Sequence, residues 1–320
     1  MATIKYNHVY LSHSYTIAGP NEAAGNLKGF DEIIPNYYFG TNTFEQAEIK
    51  MQRTILDHLL SIDNHINLVV SGDLSNQIAI SNYAISHYPL SFLGCYSACA
   101  SFNESLLLLA NLINSKAIKS GIALTSSHNL VAERQFRYPV EYGAPKPIRS
   151  TFTATGAVGV ILTSNPTNIS LTSATIGQVI DMGITDPFNM GAVMAPSAAE
   201  TLFQHLTDLN IKPDDYDIIL SGDLGRVGSS IFLDYLKIKY NIKLKNYFDA
   251  GALLYKNNQF DISGSSGPVT LPLVLINKIL TTKKYHKILL LATGSLHSPT
   301  MLNQHQSIPA ICHAISLEVL

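Results

Sequence analysis

The sequence predicts an α/β protein made of two similar halves, in which the sheets are covered on both faces. Apolar runs typical of strands, such as INLVVSG, YDIILSG and KILLLATG, alternate along the chain with amphipathic segments typical of helices. Continuous apolar strands between helices are characteristic of parallel or mixed sheets that are buried on both faces. An internal repeat is the second observation, because similar segments recur in the same order in each half of the 320 residues.

The repeat follows the order helix, strand, helix, strand. VVSGDL at 69–74 resembles ILSGDL at 219–224, and an amphipathic segment precedes each of them. Three further matched pairs follow in the same order: 98–113 with 264–279, 122–128 with 288–294, and 154–163 with 311–320. We therefore expect two pseudo-symmetric halves, residues 1–160 with Cys99 and residues 161–320. Loops at the strand ends of two such halves meet and form pockets.

The composition excludes several classes of protein. The chain is 46% hydrophobic and 14% charged, with a formal net charge of −2, and its charges form no basic face for nucleic acid. The first residues lack the basic and apolar regions of a secretory signal, and the apolar runs are shorter than the roughly 18 residues that span a bilayer. Three cysteines, an odd number, fit a reducing interior rather than a disulfide framework. We expect an intracellular protein whose association with a membrane is peripheral.

Cys99 is the first candidate for chemistry. The stretch FLGCYSACASFN (92–103) predicts a strand, a tight turn and the start of a helix, with Cys99 at the joint. A helix N-terminus stabilises a thiolate, so a cysteine at this place can act as a nucleophile. Two other interpretations stay open, since a free cysteine is also suited to line a pocket or to fill a buried core. We interpret Cys95 as a core residue and expect no zinc site, because no second cysteine pair accompanies these two residues.

Basic residues are concentrated in a segment that prolines and Gly143 predict to be a loop. They are Arg134, Arg137, Lys146 and Arg149. An arginine guanidinium binds a carboxylate through two parallel hydrogen bonds and stacks on flat rings. The loop is therefore a candidate site for an anion such as a carboxylate. The alternative is a solvated loop in which the arginines pair with Glu133 and Glu141.

Two other polar positions are candidates for the same pocket. His128 follows the apolar strand IALTSS, where it either faces a pocket or is a core histidine bonded to a backbone carbonyl. Asn189 lies in the turn-forming stretch DPFNMG and is suited to donate a hydrogen bond.

Some polar residues are interpreted as structural or incidental. Asp73 and Asp223 occupy equivalent places in the repeat, and this symmetry favours a structural task for both. The histidines near the end of the chain share no helical face, and we interpret them as incidental. They are His297, His305 and His313.

The turn and the repeat together resemble a known fold. SACASF is similar to the nucleophile turn of ketoacyl synthases and thiolases, and the duplicated chain resembles their thiolase-like fold. This resemblance implies a five-layered α-β-α-β-α arrangement. Longer segments, among them ERQFRYPVEYG and DMGITDPFNMG, resemble the stage V sporulation protein AD (SpoVAD) family over essentially the whole chain. Membership implies binding of dipicolinic acid (pyridine-2,6-dicarboxylate) and help in moving it into the developing spore.

The resemblance also implies which catalytic partners Cys99 should have. In condensing enzymes, a histidine and an asparagine or second histidine converge on the cysteine from the second half. The matching loops here hold Gly222 and Asp223 in SGDLG, and Asp261 in QFDISGSSG. Such residues remove oxyanion donors and add carboxylates, which disfavour ionisation of a nearby thiol. We therefore expect a non-catalytic binding protein; the alternative is an active thiolase-like or ketoacyl-synthase-like acyltransferase that uses Cys99 as its nucleophile.

The expected site and partners follow from these segments and from the resemblance. The expected ligand-binding residues are Cys99, His128, Arg134, Arg137, Lys146, Asn189, Asp261 and Ser266. We expect no metal ion or cofactor, and consider calcium only as a companion of dipicolinic acid. The resemblance implies a homodimer, contacts with membrane-embedded proteins of the stage V sporulation A operon, and a peripheral place at the inner membrane of the forespore or spore.

Overall fold

The computed structural model describes residues 1–137 and 146–320. The strands are β1 (Ala2–Lys5), β2 (Tyr10–Ala18), β3 (Glu32–Ile33), β4 (Leu68–Gly72), β5 (Ser91–Gly94), β6 (Ser120–Ser127), β7 (Thr151–Thr153), β8 (Gly156–Thr163), β9 (Ile169–Ile176), β10 (Ile218–Ser221), β11 (Tyr247–Asp249), β12 (Gly264–Ser266), β13 (Lys287–Ser295) and β14 (Ala310–Val319).

The α-helices are α1 (Pro20–Ala23), α2 (Phe44–Ile62), α3 (Ala79–Ile85), α4 (Ser101–Asn114), α5 (Asn129–Phe136), α6 (Met190–Leu209), α7 (Gly225–Tyr240), α8 (Ala250–Leu254), α9 (Thr270–Val274) and α10 (Pro299–Asn303). Short helical turns cover Asn76–Ile78, Pro213–Asp215, Leu275–Ile279 and Leu280–Thr282. Within the described ranges, none of the helices combines the length and the apolar character that a membrane span needs.

The strand order shows the repeat directly. In the described part of the chain, the main sheet follows the order β11-β10-β13-β14-β9-β2-β8-β6-β4-β5. In the first half, β4 is parallel to its neighbours β5 and β6, and β6 is antiparallel to β8. In the second half, β10 is parallel to its neighbours β11 and β13, and β13 is antiparallel to β14. This mirrored pairing confirms the predicted α/β fold with two similar halves.

The two halves meet where β2 pairs with β9, with Leu11 opposite Ile169. Along the chain, the change of half falls between the end of β8 at Thr163 and the start of β9. This junction lies close to the boundary expected at residue 160. The division into units 1–160 and 161–320 stays a prediction.

Each half of the sheet is covered on both faces, because successive residues of one strand join different hydrophobic cores. In β4, Val69 packs with α2, while Val70 faces the centre of the molecule. In β10, Ile219 packs with α6 and α7, while Leu220 faces the centre. The central core also holds α4, whose Phe102 is fully buried. The layers are therefore helix, sheet, helix, sheet and helix.

Hydrogen bonds join α4 to the second half of the sheet. The Asn103 side-chain amide donates to the carbonyl oxygen of Leu290 in β13 at 3.2 Å and to that of His313 in β14 at 2.8 Å. Asn103 is fully buried, so these bonds are shielded from competing water. The start of α4, and the turn before it, are thereby fixed relative to both halves.

The turn that carries Cys99 packs tightly against β13. Ala98 has a left-handed φ of 50°, which residues other than glycine rarely adopt. The Ser101 hydroxyl stabilises this turn, since it donates to the Ala98 carbonyl at 2.8 Å and accepts the Ser97 N–H at 3.1 Å. Gly294 of β13 lies directly against the turn: a Cβ there would lie 2.0 Å from the carbonyl oxygen of Ser97.

We expect Gly294→Ala to lower the free energy of unfolding by about 1–3 kcal/mol, the usual cost of an added methyl group in a packed core. The methyl group cannot fit unless the turn that carries Cys99 moves away from β13. Urea unfolding followed by circular dichroism measures the change. An unfolding free energy equal to that of the parent protein would show that the turn is not fixed by this contact.

Candidate ligand-binding site

Cys99 lies on the wall of a small cavity between the two halves. The cavity has a volume of about 30 Å³, and its lining includes Cys99, Arg137, Thr153, Met190, Ser266, Ser295 and His297. An open cleft of about 510 Å³ lies next to it, and Phe136 and His297 line both spaces. We call these spaces the inner cavity and the outer cleft. The first half supplies Cys99 and Arg137, and the second half supplies Ser266 and His297, so the inner cavity exists only where the halves meet.

An aspartate lies against the Cys99 thiol. Burial raises the pKa of the Cys99 thiol well above its usual value, and Asp223 raises that pKa further. Burial also raises the pKa of Asp223. One oxygen of this carboxyl accepts the Gly267 N–H at 3.3 Å, and the other has no partner among the described residues. Two negative charges cannot form side by side here, so the carboxyl ionises first and the thiol stays protonated.

This arrangement is the reverse of nucleophile activation. A reactive cysteine needs a basic or cationic neighbour that lowers the pKa of its thiol. Cys99 instead contacts an acid. This acid is Asp223 and not Asp261, the carboxylate expected in the place of a catalytic histidine or asparagine, because Asp261 is exposed. Cys99 is therefore suited to line the wall of a binding site, and it is partly exposed to the cavity.

The opposite wall of the inner cavity carries a buried arginine. The Arg137 side chain is 5% exposed and forms an ion pair with Glu133 at 3.2 Å. Its Nη1 donates to the Thr151 carbonyl at 2.9 Å, while its Nε has no partner among the described residues. Lys146 forms a second ion pair with Glu133 at 2.9 Å. Two cations thus share the Glu133 carboxylate, and Arg137 also lines the inner cavity.

His297 lies next to Arg137. Its side chain is buried, and its ring packs on Phe136 with ring centroids 5.5 Å apart. Burial lowers the pKa of His297 to about 4, and the positive charge of Arg137 lowers it as well. Neither ring nitrogen has a hydrogen-bond partner in the described part of the chain, and the same is true of the buried Ser295 hydroxyl. Several buried polar groups around this cavity therefore lack partners.

The structure brings three of the predicted site residues together. Cys99, Arg137 and Ser266 all line the inner cavity. Ser266 is held by a 2.9 Å hydrogen bond between its hydroxyl and that of Thr151. Contact between these residues and a ligand stays a prediction.

His128 lies outside the lining and has the contacts of a core histidine. Its Nδ1 accepts the Leu130 N–H at 3.2 Å, and its Nε2 lies 2.8 Å from the carbonyl oxygen of Tyr37. Its ring stacks on Phe44, and burial lowers its pKa to about 4. His128 is the N-cap of α5, and Arg137 follows the end of that helix. It therefore positions the arginine from a distance, which agrees with the core interpretation left open by the sequence.

The other predicted residues do not line the inner cavity. Arg134 is exposed and forms an ion pair with Glu45. Asn189 immediately precedes α6, whose first residue lines the cavity. Asp261 is exposed in the loop before β12.

The basic residues of the loop form ion pairs, as the alternative interpretation expected, and binding of an anion by Arg137 stays a prediction. Lys146 and Arg149 form ion pairs, the latter with Asp186 at 2.8 Å. Arg137 forms an ion pair and also reaches the cavity. The alternative partner Glu141 lies outside the described residues.

The structural interpretation of Asp223 holds in part, since its carboxyl accepts the Gly267 N–H at 3.3 Å, but the same carboxyl also lies against the Cys99 thiol. Asp73 does perform the expected task, since it accepts backbone N–H groups where α3 begins. In the second half, Asp249 performs that task at the start of α7. Asp223 is therefore free to face Cys99.

The interpretation of His297 as incidental does not agree with the structure, because this residue lines the inner cavity. The signal that could have found it is its place just after the buried strand KILLLATGS. Polar residues at strand ends are where α/β folds place their ligands.

Comparison with solved structures defines the class of protein. Cerulenin-bound OleA from Xanthomonas campestris aligns with a TM-score of 0.63 at 12% identity, over 98% of this chain and 100% of that chain. The 3-oxoacyl-[acyl-carrier-protein] synthase III from Aquifex aeolicus VF5 aligns with a TM-score of 0.56 at 13% identity, over 97% and 99% of the two chains. At such identities the likeness shows the fold alone, which is the thiolase-like fold of condensing enzymes, as predicted.

Sequence comparison gives the family. Residues 2–318 match the family described as stage V sporulation protein AD (SpoVAD). Stage V sporulation protein AD of Bacillus subtilis (strain 168) is 40% identical over 319 residues, which cover 97% of this chain and 94% of that relative. The chain belongs to the stage V sporulation protein AD family of sporulation proteins, and the resemblance seen in the sequence is confirmed.

We expect iodoacetamide to modify Cys99 slowly at neutral pH, because the raised pKa of its thiol leaves little thiolate. Asp223→Asn removes the neighbouring carboxylate, so the pKa of the thiol should fall. Each unit of that fall raises the thiolate fraction about tenfold. Peptide mass spectrometry follows the rate of alkylation, with the fully buried Cys312 as an internal control. Labelling of Cys99 in the parent protein faster than that of a free cysteine would favour the acyltransferase alternative.

Proposed function

We propose that the protein binds dipicolinic acid without covalent chemistry and assists its uptake into the developing spore. The observation that carries this proposal is the group of unpaired polar atoms around the inner cavity. Arg137, Ser295 and His297 each have a buried atom without a partner among the described residues. Buried polar groups are nearly always hydrogen-bonded, so several exceptions around one cavity indicate an occupant.

The chemistry of these groups fits a carboxylate. Guanidinium, imidazole and hydroxyl groups can all donate hydrogen bonds to carboxylate oxygens. Arg137 both pairs with Glu133 and lines the inner cavity, so its guanidinium could also bind a carboxylate there. Membership of a family of sporulation proteins supports dipicolinic acid as that anion.

The sizes of the two spaces decide how this ligand lies. The inner cavity of about 30 Å³ has room for about one water molecule, which is far less than a pyridine ring with two carboxylates needs. The outer cleft of about 510 Å³ has that room, and Tyr96 and Phe136 line it. In this proposal the ring lies in the outer cleft, and one carboxylate enters the inner cavity toward Arg137.

The second candidate function is acyl transfer. It is favoured by one observation, the cysteine at the turn before a buried helix, where condensing enzymes carry their nucleophile. The acid beside Cys99 opposes it, since Asp223 raises the pKa of the thiol. Non-covalent binding needs no thiolate and is the better account of the site.

The same proposal includes the partners of the protein. Among the described strands, β5 lies at the edge of the sheet and pairs with β4 alone. Leu93 and Tyr96, on and next to this edge, are 43% and 42% exposed. An open, partly apolar edge fits pairing with a second copy of the chain. Contacts with membrane-embedded proteins of the stage V sporulation A operon, and a peripheral place at the inner forespore or spore membrane, complete the proposal.

We expect Arg137→Ala to weaken dipicolinate binding more than about tenfold, because a hydrogen bond to a charged group contributes about 1.5–3 kcal/mol. Lys146 remains as a partner for Glu133 in this variant, so the fold is retained. Titration calorimetry measures the affinity, and runs with and without calcium test whether the cation enters with the ligand.

Arg134→Ala is the matched control for this experiment, because Arg134 lies three residues away in the sequence but is exposed and paired with Glu45. Its affinity should equal that of the parent protein. Equal affinities in both variants and the parent would place the ligand elsewhere, and no binding by the parent would refute the proposed function.

A further inference from the structure

His297 differs from the other buried histidines of the chain. Within the described residues these are His128, His205 and His313, and each has at least one bonded ring nitrogen. His205, for example, lies 2.7 Å from Thr175 Oγ1 through Nδ1 and 2.8 Å from the Tyr216 hydroxyl through Nε2. Both nitrogens of His297 lack a partner among the described residues. An unpaired buried imidazole destabilises a fold, so this side chain is not explained by a structural role.

The position of His297 indicates where a molecule would lie that bonds to its ring nitrogens. Its ring forms part of the wall of the outer cleft and part of the wall of the inner cavity. Any molecule that extends from one space into the other passes this ring. Its packing partner Phe136 lines both spaces too, so the passage has two aromatic walls.

The charges around His297 indicate the chemistry of that molecule. Arg137, the residue after Phe136, lies close enough for its charge to act on the imidazole. The lowered pKa of His297 keeps its imidazole neutral, and a neutral imidazole still carries one N–H that can donate a hydrogen bond. A carboxylate bound by Arg137 could accept hydrogen bonds from both groups.

We infer that His297 is a ligand-contacting residue, which donates a hydrogen bond to the carboxylate that Arg137 binds. This inference rests on the proposed function, since it assigns a further contact to the same site. His297 comes from the second half of the chain and Arg137 from the first half, and both would contact the same carboxylate. Binding of the ligand then joins the two halves through its carboxylate.

The test compares His297→Leu with the parent protein. Leucine fills similar space but cannot donate, so the affinity for dipicolinate should fall at least tenfold in titration calorimetry. The melting temperature without ligand should be equal to that of the parent or higher, because the variant removes an unpaired buried polar group. A residue with a structural role would give the opposite pattern, with a lower melting temperature and an unchanged affinity.

Two further variants identify the nitrogen that donates. His297→Gln places an amide nitrogen near the position of Nε2, and His297→Asn places one near that of Nδ1. Recovery of affinity to within about threefold of the parent in one of them supports a hydrogen bond from that position. His305→Asn is the matched control, because His305 is exposed and has a left-handed φ of 62°, which asparagine accepts readily. Its affinity should not change.

The outcomes separate this inference from the proposed function. Weaker binding in Arg137→Ala with parental affinity in His297→Leu would overturn the role of His297 and leave dipicolinate binding in place. A lower melting temperature together with an equal loss of affinity in all three His297 variants would assign a structural role and overturn the inference as well. Failure of the parent protein to bind dipicolinate would overturn both.

Discussion

The burial of α4 between the two halves of the sheet is the constraint on which the rest of the structure depends. Asn103 of this helix bonds carbonyl oxygens in β13 and β14, and the turn before the helix packs on Gly294 of β13. The start of α4 and the end of β13 are therefore fixed against each other. Cys99 lies at the first of these places and His297 just after the second. The inner cavity is a consequence of how the halves pack, rather than of either half alone.

The lining of the inner cavity combines Cys99, which has the Asp223 carboxyl beside its thiol, with Arg137 and His297. The Asp223 carboxyl disfavours formation of a thiolate, while the positive charge of Arg137 would attract an anion. In the proposed function, a thiolase-like fold keeps the position of a catalytic cysteine and binds its ligand without covalent chemistry.

The sequence was sufficient to predict the fold, because apolar periodicity and the internal repeat can be recognised in the sequence without knowing which residues are in contact. It also singled out Cys99 and Arg137, whose surroundings in the chain are distinctive and which line the inner cavity; their contact with a ligand stays a prediction. It could not assign Asp223, because the direction of that side chain depends on Asp249, which takes over the helix-capping task in the second half. His128 shows the same limit, since a residue after a strand can face a pocket or, as here, cap the next helix. These choices are made by tertiary packing and not by local sequence.

The place of His297 at the inner cavity could not be predicted from the sequence for a related reason. Its neighbours in the sequence are ordinary loop residues, and only the packing of β13 against the Cys99 turn brings it beside Arg137. The unpaired state of its nitrogens among the described residues is a property of the folded molecule.

The most direct test of the account is a crystal structure of the protein grown with dipicolinate. The account predicts a ring in the outer cleft and one carboxylate in the inner cavity, within hydrogen-bond distance of Arg137, with no bond to the Cys99 sulfur. A ligand bound at another surface, or an adduct on Cys99, would contradict it.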